Sequence, residues 1–160
     1  MFTITLITVG KLKEKFYISA AEEYEKRLKG FCQFNHISIP EARLSENPSP
    51  AEIDAGLERE AEQILGKIPK ASWFCVLTPE GKQLSSEALA EKMRDIKVSG
   101  KSNACFLIGS SFGISKRVKE IADFRLSMSP MTFPHHLARI MVLEQLYRAE
   151  AIQVGSKYHK

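Results

Sequence analysis

The chain reads as an α/β fold, a mostly parallel sheet with helices on both faces. Two observations predict it. Apolar, β-branched runs alternate with stretches of helical periodicity along the whole length. Two of those runs, 73–78 (WFCVLT) and 103–108 (NACFLI), are apolar at nearly every position, as strands buried on both faces must be.

Residues 2–9 (FTITLITV) are rich in β-branched side chains and stop at Gly10, which predicts a first strand. Phe16, Ala20, Tyr24 and Leu28 then recur every fourth residue among Lys, Glu and Arg, the mark of an amphipathic helix ending near Gly30. Its charges are mixed in sign and read as a solvated face. A short strand over 34–39 precedes Pro40, and the polar 41–48 segment reads as a loop. Ser49, Pro50 and Glu52 combine a capping serine, a proline at the first helical position and an acid three residues after the cap. Ile53, Leu57, Ala61, Ile64 and Ile68 form the buried stripe of the helix they start. Seven acids against Arg43 and Arg59 fall between positions 41 and 62, a face that repels phosphate, so an RNA surface is expected elsewhere.

After the 73–78 strand, Pro79, Glu80, Gly81 and Lys82 read as a turn. Ser85 or Ser86 caps a helix with Leu89, Met93 and Ile96 inward. The 103–108 strand runs into Gly109-Ser-Ser-Phe-Gly113, Ser115 caps a helix with Val118, Ile121 and Ala122 inward, and 124–128 is a last short strand. Pro130 and Pro134 keep the next segment from being strand or helix interior. The helix that follows is apolar nearly all the way round, from Leu137 through Ile140, Met141, Val142 and Leu143 to Ala149. Such a helix must be covered on more than one side.

At 160 residues the chain suits one domain, 1–160. Hydrophobic content of 44% and charged content of 26% argue against disorder and membrane classes. No apolar run approaches the roughly 18 residues that span a bilayer. In MFTITLITVGKLKEK the charges follow the apolar run, the reverse of a secretory signal. Cys32, Cys75 and Cys105 lie far apart without a CxxC, and read as buried free thiols of a reducing cytosol. A net charge of +4 permits a polyanionic partner without requiring one.

In a parallel sheet, ligands bind at the carboxyl ends of the strands. Three loops leave such ends: after Leu77, after Ile108, and the 127–133 segment. The Gly109 loop lacks GxGxxG spacing and a GK[ST] ending, so it is weak evidence for a dinucleotide or triphosphate. Its glycines serve either a tight turn or close approach of backbone to ligand. His135 and His136 point about 100° apart and, with no HExxH or cysteine cluster nearby, make no metal site. Glu144, Gln145 and Arg148 fall within a sector of about 100°, away from Arg139, as either a buried network or the wall of a site. Arg148 offers a fork of donors to a phosphate or carbonyl. The tail Tyr158, His159 and Lys160 reads either as a frayed terminus or as groups that stack on a base, titrate near neutral pH and meet phosphate.

Taken together, ITVGKLKEK (7–15), LIGSSFGIS (107–115), LSMSPMTFPHHLARIMVLEQLYRA (126–149) and the terminal YHK resemble the RlmH family. These are large-subunit rRNA methyltransferases of the SPOUT class. The combination of TFPH, LEQLYRA and YHK is specific, and the resemblance spans nearly the full chain. It implies a SPOUT-type sheet with a C-terminal trefoil knot, and a cytoplasmic homodimer. The implied reaction moves a methyl group from S-adenosyl-L-methionine to N3 of a pseudouridine in the helix 69 loop of 23S rRNA, on the assembled ribosome.

By position, the resemblance implies cofactor contacts at Leu77, Gly109, Met128, Ser129, Pro130, Met131, Thr132 and Phe133, on the same three strand-end loops. Ser110 departs from the family pattern, which commonly has a second glycine there. His159, Tyr158 and Arg148 are the implied candidates to accept the N3 proton or stabilise the developing anion, across the dimer interface. No metal and no membrane are implied. Two rival readings are a nucleotide-binding oxidoreductase on a doubly wound sheet and a non-catalytic ribosome-associated module. The missing GxGxxG weighs against the first, the intact SMSPMTFPH loop against the second.

Overall fold

The structure, a computed structural model, describes residues 1–160. Five strands alternate with five helices: β1 (Thr3–Val9), α1 (Lys15–Leu28), β2 (Gln33–Ile39), α2 (Pro50–Leu65), β3 (Trp73–Gln83), α3 (Ser86–Val98), β4 (Asn103–Ile108), α4 (Lys116–Ile121), β5 (Phe124–Ser127) and α5 (His135–Gln153). All strand pairs are parallel, in the order β2-β1-β4-β3-β5. This is the expected sheet, and parallel throughout.

The two-residue period of a strand sorts the core into two layers. Ile4 and Leu6 of β1 and Ala104, Phe106 and Ile108 of β4 pack with α1, α3 and α5. Ile7, Val9, Cys105 and Leu107 face the other way, onto Ala61 and Ile64 of α2 and Val118 of α4. Cys75 of β3 faces the first layer and Phe74 and Val76 the second, so both faces are covered, which explains the nearly unbroken apolar runs in β3 and β4. The three cysteines are buried and free. Burial pushes the Cys32 thiol up to about 11 and the Cys105 thiol up to about 12, which keeps both protonated.

Helix starts fall where the capping residues place them. Ser49, Ser85 and Ser115 accept the backbone N–H of Glu52, Ala88 and Val118, at 3.2, 3.0 and 3.3 Å. The 41–48 segment is tied down: Ala42 N–H donates to the buried Glu60 carboxylate at 2.9 Å, and Leu44 packs over Gly56.

Three expectations change. Pro79–Lys82 is no turn; β3 bulges between Leu77 and Lys82, then rejoins β5 through Lys82↔Leu126 and Gln83↔Ser127. Gly81 permits this, since a Cβ there would lie 2.7 Å from the backbone of Arg125 and Leu126. Phe16 is 66% exposed, and Ala21 and Leu28 are the buried positions of α1. Ile121 is exposed too, leaving Val118 as the buried side chain of the short α4. The expected cover of α5 on more than one side is met within the chain, where α1 and α3 flank it.

Candidate active site

Strand order puts the three strand-end loops side by side, because β4, β3 and β5 are adjacent. Leu77 is in register with Leu126, and Val76 with Leu107, so the chain leaves all three strands at nearly one level. The bulge that follows Leu77 begins at Thr78, whose Oγ1 is buried without a hydrogen-bond partner.

After β4 the chain doubles back at once. Gly113 N–H donates to Ser110 O at 2.9 Å, Gly113 has φ +95°, and a Cβ on Gly109 would lie 2.4 Å from Gly113 O. Both glycines are thus required by the loop's own turn. Ser110, where the resemblance leads one to expect a second glycine, is not in the left-handed region; its hydroxyl is buried and accepts the Phe112 N–H at 3.4 Å. The local backbone accepts a side chain there without strain.

The 128–133 loop is braced by its serines. Ser127 Oγ donates to Ser129 O at 3.3 Å, and Ser129 Oγ accepts the Met131 N–H at 3.0 Å. No backbone–backbone hydrogen bond involves residues 128–133, so most of the loop's amides and carbonyls face a ligand or water. Met128, Ser129 and Phe133 are half-buried, while Pro130, Thr132 and especially Met131, 73% exposed, stand outward.

Beside this loop a cleft of about 520 Å³ opens between α3 and α5. Ser85, Ser86, Leu126, Met128, Met141 and Glu144 are among its lining residues. Of the eight residues carried over for the cofactor, Met128 alone lines it. Leu77 packs on the core at its back, and Gly109 lies one strand further along.

Glu144 is the hub of the polar end of the cleft. Its Oε1 accepts Arg148 Nε at 2.9 Å and Nη2 at 2.7 Å, and the Tyr158 hydroxyl at 3.0 Å; its Oε2 accepts Gln145 Nε2 at 2.8 Å. Gln145 Oε1 in turn accepts Ser86 Oγ at 2.6 Å, which joins α5 to the start of α3. Arg148 Nη1 donates to His159 Nδ1 at 3.0 Å, and His159 Nε2 reaches Glu87 Oε1 at 2.7 Å. The Arg148 guanidinium also lies over the Tyr158 ring, 4.7 Å from its centroid, and Tyr158 packs edge-on against Tyr147.

The tail is therefore docked, and Arg148, Tyr158 and His159 come together as one network. Burial and the bond to Glu144 raise the Tyr158 pKa, so the phenol keeps its proton at neutral pH. Glu144 raises that of Arg148, whose charge is fixed. The polar sector on α5 forms a network, and its Glu144 and Gln145 line the cleft. Sequence reasoning missed Glu87 and Ser86, which lie about 60 to 70 residues from their partners; only a cap signal marked that stretch.

Elsewhere on α5, Arg139 is buried and donates to His36 Nε2 at 3.0 Å, well away from the Glu144 hub. His136 faces Glu14 at 3.5 Å. No three His, Cys, Asp or Glu side chains converge on a point that could hold a metal ion, and no helix is long and apolar enough to cross a membrane.

Comparison with known proteins places the chain among relatives. A family model described as "Predicted SPOUT methyltransferase" matches residues 2–159. A Clostridioides difficile (strain 630) protein named ribosomal RNA large subunit methyltransferase H is 44% identical over 98% of this chain and 99% of its own length. A protein of the same name from Alkaliphilus oremlandii (strain OhILAs) is 45% identical over the same shares. A Methanococcus maripaludis (strain C5) protein, 46% identical over 98% of this chain and 99% of its own, carries that name in provisional form.

Proposed function

The chain belongs to the SPOUT methyltransferase family, and from that premise we propose that it methylates large-subunit ribosomal RNA. The donor is S-adenosyl-L-methionine, and the acceptor is N3 of a pseudouridine in the helix 69 loop of 23S rRNA, on the assembled ribosome. The enzyme acts in the cytoplasm as a homodimer, and residues 1–160 are one domain, with both core layers built on one sheet.

One observation carries the reading: the loop after β5 adjoins, through Ser127 and Met128, a cleft whose wall holds Glu144, the hub of the Arg148–Tyr158–His159 network. The names of the full-length relatives support rRNA as the substrate.

The residues present fit the cofactor. The 128–133 loop offers backbone groups unused by other backbone, and Thr78 Oγ1 is a buried polar atom without a partner. Leu77, Met128 and Met131 supply apolar and sulfur surface for the faces of an adenine, with loop amides and carbonyls for its edge. When bound, the cofactor supplies a sulfonium-activated methyl group. The chain's own task is then to align an in-line attack and to deal with the N3 proton. Arg148, held by Glu144, places positive charge where the imide anion develops. His159 takes the proton at Nδ1 once Arg148 turns from the ring to the substrate. Tyr158 keeps Arg148 and Glu144 in place.

The dimer brings the two tails to a shared RNA surface, with the half-buried Ile140 and Met141 at the open cleft as its apolar part. Calorimetry with S-adenosyl-L-methionine and with NADPH separates this reading from an oxidoreductase: the first ligand binds and the second does not. Labelled methyl transfer to ribosomes tests the activity itself.

A further inference from the structure

A second cleft, of about 290 Å³, adjoins the first across the packed helices α1 and α5. Consecutive residues divide between the two: Tyr24 lines the first and Glu25 the second, Ile140 the first and Arg139 the second. Lys11, Leu12, Ile18 and Glu22 are also on its border. Nothing in the mechanism above uses it.

Arg139 makes this cleft unusual. The side chain is 7% exposed, its Nε is buried without a hydrogen-bond partner, and its Nη2 donates to a histidine rather than to a carboxylate. Since arginine only donates, His36 Nε2 must be unprotonated, and the ring is neutral. Arg139, Lys11, Glu22 and Glu25 take part in none of the ion pairs of the chain. A buried guanidinium with no carboxylate on it is costly unless something else completes its bonding.

The charge count decides what that something is. Two cations, Lys11 and Arg139, face two acids, Glu22 and Glu25, with His36 neutral, so the border sums to zero. A phosphate would meet as much negative charge as positive. A nucleobase has no net charge, presents donors and acceptors along one edge, and has an apolar face that suits Leu12 and Ile18. Enzymes that work on one splayed nucleotide also read its neighbours.

We propose that the second cleft receives an unstacked nucleobase next along the strand from the methylated nucleotide, with Arg139 donating to its edge and Glu25 accepting from it. The proposal rests on the rRNA reading above. It makes the α1–α5 pair a divider between target base and neighbour, and gives the chain a sequence-reading element outside its methyl-transfer site.

Glu25→Ala tests it by the sign of the effect. Removing an acid from a surface that meets phosphates tightens RNA binding; removing an acceptor from a bound base weakens it. The measurements are the Kd for ribosomes lacking the modification and the salt dependence of that Kd. S-adenosyl-L-methionine affinity and the thermal midpoint are read on the same samples. In Glu25→Ala the ribosome Kd rises about 5- to 100-fold, while the salt slope, S-adenosyl-L-methionine affinity and midpoint hold. Glu25→Gln, which keeps an acceptor oxygen, retains most of the affinity. Unchanged or tighter ribosome binding by Glu25→Ala overturns the proposal while leaving wild-type methyl transfer intact. A wild-type chain that neither binds nor methylates ribosomes overturns both.

Discussion

Arg148 Nη1 donates to His159 Nδ1 at 3.0 Å, so the ring's one lone pair is held by a guanidinium and its proton sits on Nε2, toward Glu87. Under the proposed function the two residues act as a unit, His159 accepting a proton only after Arg148 Nη1 has turned to the substrate.

His159→Ala is expected to lower single-turnover methylation of ribosomes by roughly 10²–10⁴-fold, with S-adenosyl-L-methionine affinity unchanged. Because the residues are coupled, the Arg148→Ala/His159→Ala double variant falls well short of the product of the two single losses. Wild-type turnover in His159→Ala, or fully multiplicative losses, contradicts the arrangement.

Glu144→Ala strips the acceptor from Arg148, Tyr158 and Gln145 together. With Glu144 17% and Arg148 25% exposed, the expected cost is about 1–3 kcal/mol. Urea denaturation measures it, and limited proteolysis reports the tail coming free at Lys157. An unshifted midpoint with a protected tail would mean that the network does not hold the tail.

Gly109→Ala and Gly81→Ala test two close approaches. A Cβ on Gly109 meets Gly113 O at 2.4 Å, and one on Gly81 meets the β5 backbone at 2.7 Å. Each variant is expected to lose about 1–3 kcal/mol of stability and to weaken S-adenosyl-L-methionine binding by calorimetry, since each moves a strand-end loop. Alanine tolerated at either position without loss of stability counts against the described geometry.

Stability depends on pH through His36. Burial and the Arg139 charge lower its pKa to about 4 from an ordinary 6.5. The folded chain holds this ring neutral while the unfolded chain protonates it, so the contribution is present above about 6.5 and lost as pH falls toward about 4. Urea midpoints are expected to drop across that window, and the drop to shrink in His36→Gln. An equal drop in the variant assigns the effect to other groups.

The sheet was legible because its strands announce themselves: an apolar run with no polar face, as in β4, has no place except between two helical layers. Helix starts were legible at Ser49 and Ser115, where capping is local chemistry. Phe16 was misread because a strict four-residue spacing drifts. Twelve residues from Leu28, it lies about 120° away around the helix and faces solvent. The β3 bulge was misread because Pro79 and Gly81 look the same in a turn and in a strand that loops out and returns; Lys82 and Gln83 re-pair with β5 through tertiary contact alone.

In the site, the three loops were legible as strand ends, and the resemblance marked their residues. Arg148, Tyr158 and His159 were legible as types suited to proton transfer and charge. Their assembly was not, since it needs Glu144 to bond partners one turn and 14 residues away, and Glu87 to meet a residue 72 positions later. The two-sided cover of α5 was foreseen as a need, while its source, α1 and α3 of the same chain, follows from packing that no spacing encodes.

The most direct test of the central claim is transfer of a labelled methyl group from S-adenosyl-L-methionine to ribosomes from a strain lacking the modification, with the product base mapped. The account predicts one methyl group per large subunit, on N3 of a pseudouridine in the helix 69 loop. No transfer, or label on a different base, would contradict it.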